Sequence, residues 1–300
     1  IGATTVECTA TDTAGNTATA SVTVTGSDAT APAASAPAPI TAEATGPAGA
    51  LVTYAASALD AVSGAVTPSC SPASGSTFPL GTTTVSCSAT DGTNQTTGSF
   101  AVTVRDRIAP LLTVPANISV EETGPAGTPV TYVATASDAV TVGIVPVCVP
   151  VSGTTFPLGT TTVACTATDG SGNASSKSFT VTVRDTIAPT VTVSVYPLSI
   201  WSPNGAMVPV TVSGLALDGG SGVANATYSV IDEYRQVQPS GTVTLNADGS
   251  YSFSVSLQAS RRGSDKNGRT YTIVVSATDR AGLKTTTSIT IVAVEHNQAG

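Results

Sequence analysis

The sequence predicts an all-β protein made of tandem β-sandwich modules in an elongated array. Three observations indicate this fold: a long internal repeat, apolar residues that alternate with Thr and Ser, and a composition poor in large side chains. The nine residues TFPLGTTTV stand at 77–85 and again at 155–163, 78 positions later. A period of this length suits a sandwich module, because solenoid repeats run about 20–50 residues.

The repeat divides the chain into four parts. Two full copies are expected at 31–106 and 109–185, since CSPASGSTFPLGTTTVSCSATD in the first matches CVPVSGTTFPLGTTTVACTATD in the second. Residues 1–26 match only the final third of a copy, and the fourth unit, 188–296, keeps the ends of the pattern without the cysteines. With only two strands, the first part is expected to be the least stable.

Each copy has the pattern of short strands. Apolar residues alternate with polar ones along 85–89 and 100–104, and at the corresponding positions of the second copy. This period of two is typical of half-buried antiparallel strands. We also expect strands at 52–56 and 130–134, and a hairpin over 242–257 with Asp-Gly at its tip. About seven short strands per module predict an immunoglobulin-like sandwich.

Composition argues against two classes of partner. The net charge is −8 and only 10% of residues are charged, whereas phosphate binding needs clustered Lys and Arg, so we expect no nucleic acid partner. No apolar run approaches the roughly 20 residues of a membrane helix, so no membrane insertion is expected.

The repeated motifs resemble a known module. The run from Cys through SGSTFPLGTTTV to the next Cys, followed by ATD and by SFAVTVRD or SFTVTVRD, is similar to the hyalin repeat (HYR). The last unit, with IWSPNGAMVPVTV and GRTYTIVVSATDRAG, resembles bacterial immunoglobulin-like modules. The resemblance implies an extracellular adhesive or spacer role within a longer protein and no enzymatic activity.

The five cysteines favour an oxidising location. Cys70 and Cys87 are separated by 17 positions, as are Cys148 and Cys165, so we predict one disulfide in each full copy. Cys8 aligns with Cys87 and Cys165, and its partner is expected upstream of residue 1. Free buried cysteines are the alternative. Metal binding by cysteine has little support, because there is no CxxC and His296 is the only histidine.

No catalytic constellation stands out, so no enzyme is expected. His296 lies in the C-terminal tail, and Glu121 and Glu122 are consecutive strand residues that point to opposite faces, as at a solvated strand edge. The rival function is a carbohydrate- or protein-binding accessory module of a secreted enzyme. Trp201 could stack on a sugar, although packing in the core is favoured. The basic loop 261–269 could contact an anionic glycan, or simply be solvated.

Nine of the 13 Asp recur in register. One set follows the second strand of each unit, one precedes the last strand, and one stands in the linkers before Ala-Pro. In an immunoglobulin-like sandwich the linker enters at the end that carries both loops, so each linker Asp should approach two loop Asp of the next module. The expected clusters are Asp28, Asp60 and Asp91; Asp106, Asp138 and Asp169; and Asp185, Asp218 and Asp279.

Gathered carboxylates are the ligands that Ca²⁺ prefers, so these clusters are candidate calcium sites. The alternative is that each Asp caps its own turn through an Asx hydrogen bond and needs no metal. Arg105 and Arg184, beside linker Asp, could neutralise part of the charge. No cofactor is expected to be required, and Ca²⁺ is the one candidate.

We therefore expect a non-catalytic structural or adhesive segment, a stalk or spacer in a secreted or cell-surface protein. Its expected partners are other modules of the same polypeptide, and surface glycans or proteins.

Overall fold

The computed structural model describes residues 1–202, 204–265 and 267–293, and these form strands and turns with no helix. The expected all-β fold is confirmed. By their contacts the residues divide into two compact units, the first formed by 1–112, 136–146 and 167–175. The second is formed by 113–135, 147–166 and the chain from 176 onward, so the division passes through the second full copy.

The first 26 residues form a hairpin. Strands β1 (Gly2–Thr11) and β2 (Thr17–Gly26) pair antiparallel from Gly2↔Gly26 to Thr11↔Thr17, and every residue of both strands is exposed. The turn between them is capped by Asp12, whose Oδ1 accepts the N–H groups of Ala14 and Asn16, each at 2.9 Å. The alternating valines of this hairpin therefore bury nothing, and its low stability stays a prediction.

The first full copy contains nine strands. They are β3 (Ala33–Ser35), β4 (Ile40–Glu43), β5 (Ala50–Val52), β6 (Ser57–Asp60), β7 (Gly64–Val66), β8 (Ser69–Ser71), β9 (Ser76–Phe78), β10 (Gly81–Thr90) and β11 (Gln95–Arg105). One sheet has the order β4-β11-β10-β8, a second has the order β3-β6-β7, and β5 pairs with β9. Strand β4 is parallel to β11 and the other pairings are antiparallel. The core is built on the predicted alternation, with Phe78, Val85 and Val102 fully buried.

The strand expected at 52–56 is interrupted, because β5 ends at Val52. Beyond it a serine side chain replaces the backbone ladder: the Tyr54 N–H donates to Ser74 Oγ at 2.8 Å, and that hydroxyl donates to the Tyr54 carbonyl at 2.7 Å. The Tyr54 hydroxyl donates to the Pro72 carbonyl, and its ring meets Phe100 edge-on at 4.9 Å between centroids. The period of two thus continues in burial where the strand pairing does not.

The second full copy repeats this plan. Its strands are β12 (Leu111–Thr113), β13 (Ile118–Glu121), β14 (Thr128–Pro129), β15 (Thr135–Ser137), β16 (Val147–Val149), β17 (Thr155–Phe156), β18 (Gly159–Thr168) and β19 (Ala174–Arg184). The strand order β13-β19-β18-β16 matches that of the first copy. The strand expected at 130–134 is absent for the same reason, since Tyr132 and Ser152 exchange the corresponding hydrogen bonds, each at 2.8 Å.

The motif TGPAG, present in both copies, needs its second glycine. Gly49 and Gly127 have φ of 106° and 109°, a region that residues with a Cβ rarely adopt. A Cβ there would also lie 1.9 Å from the Phe78 carbonyl oxygen, or 2.0 Å from that of Phe156. The glycine therefore lets the turn close on the buried phenylalanine of TFPLG, which explains why the two motifs recur together.

The last module has a four-stranded and a five-stranded sheet and the largest core. Its strands are β20 (Thr190–Val191), β21 (Ser194–Tyr196), β22 (Ser199–Ile200), β23 (Met207–Leu217), β24 (Val223–Asp232), β25 (Ser240–Thr242), β26 (Ser250–Gln258), β27 (Arg269–Asp279) and β28 (Lys284–Ala293). One sheet joins β20, β23, β21 and β26, and the other has the order β22-β28-β27-β24-β25. Tyr251, Leu257, Tyr271 and Ile273 fill the space between the strands.

The hairpin expected over 242–257 is wrong. The tight turn exists, with the Gly249 N–H donating to the Asn246 carbonyl at 3.0 Å. However, β25 pairs with β24 whereas β26 pairs with β23, so the two arms belong to different sheets. The turn carries the chain from one sheet to the other, a choice that local turn chemistry does not determine.

Candidate metal centres

The nine aspartates form the three clusters expected from the sequence. In each cluster, one carboxylate oxygen from every member lies within 4.8 Å of the corresponding oxygens of the other two. Two oxygens bound to one Ca²⁺ at about 2.3–2.6 Å cannot be more than about 5 Å apart. The spacing therefore allows all three carboxylates of a cluster to share a single ion.

The loop aspartates are held in place by the turns they cap. In the first cluster, Asp60 stands at the end of β6, and its Oδ1 accepts the N–H groups of Val62 at 2.8 Å and Ser63 at 2.7 Å. Asp91 follows β10, and its Oδ1 accepts those of Thr93 at 2.6 Å and Asn94 at 2.7 Å. The Asx caps proposed as the alternative to metal binding are thus present, and each occupies one oxygen.

The second cluster uses the same caps. Asp138 Oδ1 accepts the N–H groups of Val140 and Thr141, both at 2.8 Å. Asp169 Oδ1 accepts those of Ser171 at 2.9 Å and Asn173 at 2.8 Å. Repetition of this geometry in two copies shows that the turns present their carboxylates in one fixed way.

In the first two clusters an asparagine ties the linker to the loop, and the sequence reasoning missed it. Asn94 Nδ2 donates to the Asp28 carbonyl at 3.2 Å, and Asn173 Nδ2 donates to the Asp106 carbonyl at 3.2 Å. The same amides also donate to Asp91 and Asp169. The signal was available, because the turns DGTN and DGSGN both end in Asn.

Capping leaves several carboxylate oxygens buried and without a donor. In the first cluster these are Oδ2 of Asp28 and of Asp60, and in the second Oδ2 of Asp106. Asp60 is 3% exposed and Asp106 is 8% exposed, so water reaches neither freely. A buried polar atom without a partner costs about 1–3 kcal/mol, and more when it is charged. The Asx interpretation explains the turns but does not account for these atoms.

The third cluster has a different ligand environment. Asp185 Oδ2 accepts the Ser221 N–H at 2.8 Å, and Asp218 Oδ2 accepts the Gly222 N–H at 2.6 Å. Asp279 Oδ1 accepts the N–H of Leu283 at 2.8 Å, where the other turns have Asn. Asp218 Oδ1 and Asp279 Oδ2 remain without a donor.

Glu122 is buried beside the third cluster, so the expected solvated strand edge is wrong for this residue. It is 6% exposed, and its Oε2 has no hydrogen-bond donor. Burial raises the pKa of Glu122, and the nearby charges of Asp185 and then Asp218 raise it further. Glu121 is exposed as expected, and its Oε1 accepts the Thr186 N–H at 2.6 Å.

The electrostatics of the clusters favour a cation. Arg105 and Arg184 are exposed, whereas the adjoining Asp106 and Asp185 are buried. Hydrogen bonds from the side chain and N–H of Ser221 hold the pKa of Asp185 below its usual value, despite burial. Clusters that contain only carboxylates, among the residues the structure describes, suit a hard ion such as Ca²⁺ or Mg²⁺.

The structure contains two disulfides, Cys70–Cys87 and Cys148–Cys165. Each joins residues that lie directly opposite one another, on β8 and β10 in the first copy and on β16 and β18 in the second. Cys8 is exposed and unbridged among the described residues. The bridges therefore fasten an edge strand to the long central strand beside it.

Of the remaining candidate residues, one is more exposed than expected and others lie outside the residues that the structure describes. Trp201 is 55% exposed, so the favoured interpretation as a core residue is wrong. His296 and the expected end of the last module at residue 296 lie outside the described residues, as does Lys266 in the basic loop. No part of the described chain forms a helix of the length and apolar character needed to cross a membrane.

Comparison with protein families agrees with the resemblance seen in the repeated motifs. Residues 105–183 match the HYR domain, and residues 173–295 match a bacterial Ig-like domain. The expected order, a hyalin repeat followed by a bacterial immunoglobulin-like module, is confirmed. No curated protein matches the chain.

Several solved structures align weakly with the chain. Extracellular cadherin domains 1–4 of protocadherin gamma B7 are 16% identical, with a TM-score of 0.36, over 93% of this chain and 80% of that one. Domains EC1 to EC3 of mouse protocadherin-24 are 16% identical, with a TM-score of 0.31, over 85% and 96%. A segment of titin is 12% identical, with a TM-score of 0.28, over 71% and 75%. Similarity at this level carries no functional conclusion.

Proposed function

We propose that this chain is a non-catalytic structural or adhesive segment of an extracellular protein, a spacer whose linkers are held by Ca²⁺. The observation that carries the proposal is the recurrence of one carboxylate cluster at three linkers, each with buried oxygens that no donor satisfies. The two disulfides support an oxidising compartment. The proposed modules are 31–106, 109–185 and 188–296, preceded by the partial repeat 1–26.

Calcium would change what the linkers can do. Each cluster joins one linker Asp to two loop Asp, so an ion shared among them restricts the linker to one path. Without a cation the three carboxylates repel one another at short range. The expected partners of such a spacer are other modules of the same polypeptide, and surface glycans or proteins.

The first prediction is that millimolar Ca²⁺ raises the melting temperature of the full 300-residue chain relative to chelator. A ligand that binds only the folded state stabilises it, by about 2.7 kcal/mol at 100 times its Kd. Differential scanning calorimetry measures this shift, and isothermal titration should give three ions per chain. Equal melting temperatures in Ca²⁺ and in chelator would leave the Asx caps as the only role of these residues.

Matched variants separate metal binding from capping. Asp60→Asn keeps an oxygen that can accept from Val62 and Ser63, but it removes the charge and one ligand oxygen. It should therefore lower the stoichiometry by one ion while leaving the stability in chelator nearly unchanged. Asp12→Asn is the control, because Asp12 caps the same kind of turn and belongs to none of the three clusters.

A second candidate function is a carbohydrate- or protein-binding accessory module. It is favoured by the exposure of Trp201, at 55%, and of Tyr196, five positions earlier in the sequence, at 79%. A sugar that stacks on an exposed indole shifts its emission wavelength and protects its fluorescence from quenchers. Trp201 is the only tryptophan, so the emission reports on this residue alone. Titration with soluble polysaccharides while tryptophan emission is recorded tests this function, and an unchanged spectrum with every glycan counts against it.

A further inference from the structure

The third cluster stands apart from the other two because of Glu122. The Glu122 N–H donates to the Arg184 carbonyl at 2.7 Å, immediately before Asp185. In the first copy, Ala44 occupies the equivalent place: its N–H donates to the Arg105 carbonyl at 2.8 Å, immediately before Asp106. The backbone is therefore the same at both positions, and of the second and third clusters only the third receives a carboxylate there.

The surroundings have changed to match. Ala44, 4% exposed, belongs to the same buried apolar cluster as Val140, which lies two residues after Asp138. In the third cluster the residue two positions after Asp218 is Gly220, and a Cβ at Gly220 would lie 2.8 Å from the carboxylate of Asp185. An apolar contact beside the second cluster is thus replaced by a carboxylate and a glycine beside the third.

One oxygen of the Glu122 carboxylate is buried without a partner. This oxygen, Oε2, has no hydrogen-bond donor, and the residue is 6% exposed. The charge of Arg280 offsets part of the repulsion from Asp185 and Asp218. That guanidinium donates to the Ser221 carbonyl at 3.2 Å. A buried carboxylate near Asp185 and Asp218 is stabilised by a multivalent cation, which can supply a partner for unpaired oxygens.

We propose that the third cluster is a four-carboxylate site in which Glu122 is the fourth ligand, and that it binds Ca²⁺ more tightly than the other two clusters. This inference rests on the proposed function, because it requires that the clusters bind Ca²⁺. Only the three aspartates have carboxylate oxygens within 4.8 Å of one another. Glu122 therefore has to rotate about its side-chain bonds to reach the ion. As a consequence, the clusters bind Ca²⁺ in order: as the Ca²⁺ concentration rises, the third cluster, at the linker before the last module, is occupied first.

The test is Ca²⁺ titration calorimetry of the full chain as wild type, Glu122→Gln and Glu121→Gln. Wild type should show one tight site and two weaker ones, and Glu122→Gln should weaken the tight site about tenfold or more. Glu121→Gln is the matched control, since this neighbouring carboxylate is exposed and bonds to Thr186. Asp279→Asn should affect the same tight site, which assigns it to the third cluster.

A measurement in chelator separates ligation from a structural role. Glu122→Gln removes a buried charge without a partner, so its melting temperature in chelator should equal or exceed that of wild type. Its shift on adding Ca²⁺ should be smaller. Three equal sites, or a Glu122→Gln protein with wild-type affinity, overturns this inference and leaves the proposed function standing. Absence of Ca²⁺ binding in the wild type overturns both.

Discussion

At the scale of single residues, the last module depends on one buried ion pair. Arg269 Nε donates to Asp232 Oδ1 at 2.8 Å and Nη2 donates to Oδ2 at 2.5 Å, with both side chains fully buried. The guanidinium lies 4.8 Å from the ring centroid of Tyr234 and 4.9 Å from that of Tyr271. Asp232 also accepts N–H groups of the following turn, so one carboxylate fixes both the start of β27 and the end of β24.

Removing the arginine should therefore be costly. Arg269→Met leaves a buried carboxylate without its counter-charge and should lower the free energy of unfolding by about 3–5 kcal/mol. The double variant Arg269→Met with Asp232→Asn should recover part of that loss, because no charge is then left unpaired. Urea unfolding of the three proteins, followed by circular dichroism, measures the difference. Equal stability of wild type and Arg269→Met would show that the pair contributes nothing.

The same pair sets a pH dependence. Burial would raise the pKa of Asp232, but the hydrogen bonds from Arg269 and from the N–H groups of Val237, Gln236 and Tyr234 outweigh it, and the pKa falls well below its ordinary value of 3.8. Because the pKa of Asp232 is lower in the folded state than in the unfolded state, the ionised carboxylate stabilises the fold at pH values above the unfolded pKa. This stabilisation is lost as the pH falls below about 3.8. Acid unfolding curves of Arg269→Met should be shallower than those of wild type over that range.

At the scale of strands and turns, the sequence predicted the features that depend on local pattern, such as which strand positions face the core. The period of two identified the core positions from Val85 to Ala89, and the register of the repeated Asp located all three clusters. The arms of the turn at Gly249 were assigned to one hairpin, because a turn signal does not say which sheets its two strands join. The interruption at Tyr54 was missed, since a serine 20 residues away supplies the hydrogen bonds.

Glu122 shows a further limit of the same kind. Two adjacent acids on a strand indicate a solvated edge when each is considered alone. In an alignment of the two copies, Glu122 is equivalent to Ala44, which is a core position. That comparison would have indicated an acidic side chain in an apolar environment. Its closeness to Asp185 and Asp218 depends on how distant turns meet, which no local pattern encodes.

At the scale of the whole molecule, the modules are stabilised by different means. Each full copy buries two phenylalanines, in a core smaller than that of the last module, and carries one disulfide, whereas the described part of the last module has none. A smaller core gains less from burial, so a covalent link matters more to it. The two solutions make the modules unequal in their dependence on redox conditions.

Reduction should therefore destabilise the two full copies and spare the last module. Opening a loop between cysteines 17 positions apart removes about 3 kcal/mol from each copy, because the unfolded chain regains its freedom. Hydrogen exchange with and without reductant should show lost protection in β10 and β18, and unchanged protection in β27. Alkylation checks the starting state: one group, on Cys8, is expected before reduction and five after it. Four or more groups before reduction, or equal loss of protection in β27, would contradict this division of stability among the modules.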